Sequence, residues 1–179
     1  MNPWWYWVAV APQFALVGGL ALYHEHLLAT GREVVLEVRP FDPMDVLSGR
    51  YLALPLAIEV LDRGILVGAG DPRPGDSVWV ELAAGSPFWT PVAVHEQSPP
   101  ASPDRVVVRG ELSWGAEAGR LYVRYPIDRF YIPETGDDPT TGPLATRPKL
   151  SLVVRVASNG AMALADLRVD GVPYARWRR

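Results

Sequence analysis

The chain follows two different rhythms. From Trp4 to Tyr23 (WWYWVAVAPQFALVGGLALY) twenty positions pass without a charge, and His24, Glu25 and His26 then end the run. As a helix rising about 1.5 Å per residue, such a stretch covers about 30 Å, the hydrocarbon thickness of a bilayer. Trp4, Trp5, Tyr6 and Trp7 at one end and Tyr23 at the other match interfacial aromatic belts. A cleaved signal peptide calls for basic residues ahead of the apolar run and a small-x-small cleavage site. Here no Lys or Arg precedes Arg32, and Gly19-Leu20-Ala21 is a poor cleavage site. The pattern predicts an uncleaved membrane anchor with its juxtamembrane segment over residues 1–28 and a separate domain over 29–179.

Within the apolar run, Ala11, Ala15, Gly18 and Gly19 fall on one side of a helix. Small residues at that spacing let a second membrane helix approach closely, so another integral membrane protein is an expected partner. Gln13 points roughly the opposite way, and Pro12 frees a carbonyl one turn earlier. Both need hydrogen bonds that lipid cannot supply.

From residue 33 the rhythm changes to short alternating or β-branched runs bounded by Gly, Pro and Asp, which reads as strands. The expected strands are 33–39, 50–60, 77–82, 88–96, 105–114, 120–132, 149–157 and 161–169. Asn159-Gly160 is the strongest hairpin signal, and Gly115 to Gly119 joins a second hairpin. Residues 133–148 form a long polar loop, and no helix of useful length is expected after residue 32. With 18 Pro and 16 Gly among 179 residues, many short strands are favoured over many helices. The expectation is all-β: one antiparallel domain, barrel-like or sandwich, behind a single transmembrane helix.

Composition excludes several chemistries. There is no Cys, hence no disulfide, thiolate nucleophile or Cys-based metal site. A net charge of −3 gives no footprint for nucleic acid. His24 and His26 lie about 200° apart on a helix, and His95 and Glu96 face opposite ways on a strand, so neither pair shares a metal ion. No metal or cofactor is expected. Lys149 is the only lysine, so a Ser–Lys hydrolase dyad has one base; Ser48 is a candidate partner. Tyr122, Tyr125, Phe130 and Tyr131, with Trp114, are candidates for a small-molecule or glycan groove. Mostly, such a strand is core alternating with a solvated face.

Five blocks then stand in order. Asp42-Pro43-Met44-Asp45 leads into Gly49-Arg50-Tyr51-Leu52-Ala53-Leu54. Further on come GDSVWVEL (75–82), PFWTPVAV (87–94), RLYVRYPIDRFYIPE (120–134) and LRVDGVPY (167–174). With an N-terminal membrane helix ahead of them, they resemble the bacterial GDYXXLXY-motif family of membrane-anchored proteins over nearly the whole chain. Two motif positions depart: the Asp is Arg50 and the final Tyr is Leu56. The resemblance implies an extracytoplasmic domain held by its anchor, no established activity, and association with polytopic membrane proteins. Charge alone leans the other way, because Arg32 and Arg39 follow the helix, but long domains translocate largely regardless of charge.

An Arg where the family has an acid reverses the charge, so the motif is expected to be structural. Gly49 frees the turn, Arg50 neutralises Asp42 or Asp45, and Tyr51 and Leu54 enter the core. The expected function is a non-catalytic subunit or accessory of a membrane complex in the bacterial cell envelope. A signal-peptidase-like hydrolase and a ligand-binding envelope module stand as alternatives.

Overall fold

The structure is a computed structural model of the chain and describes residues 4–39, 51–68, 70–117, 119–127, 129–131, 139 and 148–177. One long helix, α1 (Trp4–Thr30), precedes a β domain. It runs past the polar His24-Glu25-His26 step to Thr30, so the expected boundary at residue 28 falls inside its last turn.

Eleven strands are described. They are β1 (Arg32–Glu37), β2 (Tyr51–Ala53), β3 (Val60–Asp62), β4 (Ser77–Ala83), β5 (Thr90–His95), β6 (Arg105–Glu117), β7 (Arg120–Arg124), β8 (Arg129–Tyr131), β9 (Leu150–Val156), β10 (Met162–Val169) and β11 (Val172–Pro173). They form two main antiparallel sheets, ordered β1-β9-β10-β11 and β3-β7-β6-β4-β5, with a small β2-β8 ladder beside them. The domain is all-β as expected, and among the described residues the sheets do not close into a barrel. A sandwich-like arrangement fits.

Alternation explains the packing. Val34 and Leu36 of β1, Val78, Val80 and Leu82 of β4, Val106 and Val108 of β6, and Leu152 and Val154 of β9 meet in one core. Backbone contact joins the sheets at a corner, where the Arg109 amide donates to the Gly160 carbonyl at 2.9 Å. Gly160 sits at φ +84° in the β9–β10 hairpin, and a Cβ there would lie 3.1 Å from the Arg109 nitrogen. Asn159-Gly160 thus makes the expected hairpin, with the glycine left-handed at the end of a three-residue loop.

Two long predicted strands are broken. The run 50–60 divides into β2, a bridge at Leu56, a 3-10 turn (Ala57–Glu59) and β3. The run 120–132 divides into β7 and β8. Pro55 and Pro126 stand at the breaks, where a residue without an N–H cannot continue a ladder. The second expected hairpin forms between Glu117 and Arg120, with Gly119 at φ +75°. A third was not anticipated: Asp170 (φ 50°) and Gly171 (φ 80°) turn β10 into β11. Both central residues are left-handed, as a two-residue type I′ turn requires. The chain ends its described part in one helical turn, α2 (Tyr174–Trp177). Tyr174 is buried there, edge-on to Phe130 at 5.6 Å and stacked on Trp177 at 6.1 Å.

Candidate functional site: the apolar helix and two shallow clefts

The most unusual surface is α1 itself. Trp7, Phe14, Leu16, Val17, Leu20 and Leu22 are all more than half exposed, and they point in every direction around the helix axis. A helix apolar on all sides is either buried in a large core or spans a membrane. This one is not buried: residues Tyr6–Thr30 are long and apolar enough to cross a bilayer, with none of the apolar window enclosed by protein. Ala11, Ala15, Gly18 and Gly19 are exposed on it, and a Cβ added at either glycine would meet nothing within 4 Å. Pro12 is accommodated inside the helix.

The helix is solvent-free only at its end. Leu27 is 4% exposed, and α1 lies against β9 and β10. Val153 and Ala163, on the face of their sheet away from the main core, are buried too. Thr30 Oγ1 donates to the His26 carbonyl at 2.8 Å, which tightens the last turn. One residue, Gly31, then separates the helix from β1.

Among the described residues, two clefts on the β domain bear on the candidate aromatic groove. The first, about 480 Å³, has Tyr125, Pro126 and Met162 beneath and Arg109, Glu111 and Arg124 at its edge. Its cations are already engaged. Arg124 pairs with Glu111 at 2.7 Å, and Arg109 donates to Ser77 Oγ at 2.9 Å while stacking over Trp79. The second, about 390 Å³, is lined by Arg39, Leu54, Pro55, Glu59, Tyr122 and Arg124 among others. Neither offers an enclosed apolar pocket with convergent polar groups.

The aromatic residues expected to share a groove are divided by the sheet. Leu121, Val123 and Tyr125 point into the core, whereas Tyr122 and Arg124 point outward. Tyr125 is 2% exposed, and its hydroxyl donates to the Ile58 carbonyl at 3.1 Å. Burial, reinforced by the Glu59 carboxylate, pushes its phenol well above the usual tyrosine range. Phe130 packs against Tyr174 instead. The side chains of Trp114 and Tyr131 lie outside the described residues.

On the outer face of the five-stranded sheet, Glu81 bridges His95 at 3.2 Å and Arg105 at 3.5 Å. Among the described residues, no three His, Asp or Glu side chains gather as metal ligands would. Lys149 is exposed where β9 begins, its amide bonded to the Asp170 carboxylate at 2.8 Å. Ser48 lies outside the described residues.

For the motif segment, Asp42, Pro43, Asp45, Gly49 and Arg50 also lie outside the described residues. Tyr51 begins β2, opposite Tyr131 of β8, although its side chain is not among those described. Leu54 is 1% exposed and Leu56 is fully buried. Leu56 bridges Val38, and the Pro55 carbonyl accepts from the Arg39 amide at 2.8 Å. The last part of the motif therefore stitches the chain beyond β1 to the core.

The sequence matches the GDYXXLXY protein family over residues 13–167. The chain belongs to that family. The match to the GDYXXLXY family begins inside α1 and ends in β10, so it covers the helix-to-domain junction and both main sheets. No curated protein and no solved structure matches the chain. In this GDYXXLXY member the final motif position, occupied by Leu56, is a core position.

Proposed function

We propose that this GDYXXLXY protein is a single-pass protein of the bacterial cell membrane whose β domain lies on the extracytoplasmic side. There it serves as a non-catalytic subunit or accessory of an envelope membrane complex. The observation that carries the reading is α1: apolar around its whole circumference, exposed along the span, and covered by its own domain only from Leu27 onward. Its partner is another integral membrane protein, met along Ala11, Ala15, Gly18 and Gly19, where the helix surface is open to close approach. The extracytoplasmic side rests on the family resemblance rather than on charge.

Full-length protein should stay with membranes through high salt and alkaline carbonate, and a chain starting at Leu27 should be soluble. Recovery of the full-length chain in the aqueous fraction without detergent would refute the anchor. For the partner, Gly18→Leu with Gly19→Leu should reduce co-purifying membrane proteins after gentle detergent extraction while the β domain keeps its melting temperature. Undiminished co-purification removes that helix face from the interface.

A further inference from the structure

We infer that the junction of α1 with the β domain is a rigid strut rather than a tether, holding the domain in one orientation against the membrane surface. The inference rests on the proposed anchoring for its biological meaning, but the contacts at the joint are independent of it. At about 1.5 Å per residue, the 27 residues of α1 span about 40 Å. A bilayer measures about 30 Å across its hydrocarbon and about 40–45 Å with its headgroups. With Trp4 to Tyr23 in the hydrocarbon, His24 to Thr30 rise about 10 Å, enough to clear one headgroup layer of about 5–7 Å, and Gly31 emerges just beyond it. The domain begins at the next residue, so no length is left for a flexible linker.

The contacts at this point are those of a packed joint. Leu27 is buried against the face of β9 and β10 that also buries Val153 and Ala163. The Gly31 amide continues the helix by donating to the Leu27 carbonyl at 2.9 Å. The Gly31 carbonyl accepts from Arg155 Nη1 of β9 at 3.2 Å. A Cβ at Gly31 would stand 2.9 Å from the Arg155 Cβ and 3.1 Å from the Val156 nitrogen, so only glycine allows this closeness. Beyond it, Arg32 is held by the Pro103 carbonyl at 2.6 Å and lies over the Trp89 ring at 5.1 Å. Helix end and joint are thus fixed to β9 and β10, and the first strand to the segments that precede β5 and β6. A swivel of the helix would have to break the Leu27 docking contact and the Gly31–Arg155 contact together.

The chain has no cysteine, which suits paired spin labels. Leu20→Cys on the span and Gln97→Cys on the domain, both exposed positions, report the angle between the two bodies. In lipid nanodiscs and in detergent the distance distribution should be a single narrow peak. Inserting Gly-Ser-Gly-Ser after Gly31 should widen it by about 10 Å, the reach of a four-residue flexible linker. Leu27→Ser, which removes the docking contact without changing chain length, should widen it as well. A native distribution as broad as that of the insertion variant, or an insertion variant as narrow as the native chain, overturns the strut. Because the measurement is repeated in detergent, it remains decisive even if membrane fractionation were to go against the anchor.

Discussion

Leu56→Ala should lower stability by about 2–5 kcal/mol, and Leu54→Ala by a similar amount. Both side chains sit in the core shared by the two sheets, with at most 1% exposure. Truncation leaves a void that neighbouring strands cannot fill without shifting. Leu56 also bridges Val38, and Pro55 between them accepts from Arg39. Loosening this segment therefore frees the chain beyond β1 as well. Leu56→Tyr, which restores the residue of the family motif, should cost about 1–3 kcal/mol, because the space is already filled for leucine. Urea melts of the detergent-solubilised protein would measure all three. A motif that binds a ligand instead of building the core would show the reverse: near-native midpoints for both alanine variants.

Much of this architecture could be read from the chain because strand alternation and turn chemistry act locally. The pattern Val78-Trp79-Val80-Glu81-Leu82 specifies which face of β4 is buried, and every residue obeys it. The long apolar helix was equally legible, since a charge-free run of twenty residues is long enough for a membrane-spanning helix. What was missed depends on partners far away in sequence. Pro55 and Pro126 were visible, yet the hydrophobic runs continue through them and suggest unbroken strands. Asp170-Gly171 carried a hairpin signal as good as Asn159-Gly160, but only two residues follow it as strand. Leu27 was assigned to the juxtamembrane segment. Nothing local says that β9 and β10 will bury it, because Val153 and Ala163 lie more than a hundred residues away. The aromatic groove dissolved for a related reason. Tyr122 and Tyr125 are three residues apart, and that odd spacing on an extended segment sends them to opposite faces.

Tyr125 therefore carries the sharpest remaining expectation. Its ring is 2% exposed, and its hydroxyl satisfies the Ile58 carbonyl just before β3. Tyr125→Ala should cost about 3–5 kcal/mol through the lost ring. Tyr125→Phe should cost about 1–3 kcal/mol, because the Ile58 carbonyl is then left without its donor. The two variants should also differ from the native chain in alkali. Burial and the Glu59 carboxylate raise the folded-state phenol above its ordinary value, so folding favours the protonated form. That contribution is fully present below about pH 10 and is lost as pH rises above it, since the unfolded chain then releases the proton first. The slope from one such group is about 1.4 kcal/mol per pH unit. Tyr125→Phe has no proton to release and should lose less stability between pH 10 and 11 than the native chain. Parallel slopes for the two proteins would mean that the Tyr125 hydroxyl meets water, returning it to the surface and to the groove from which the sheet now separates it.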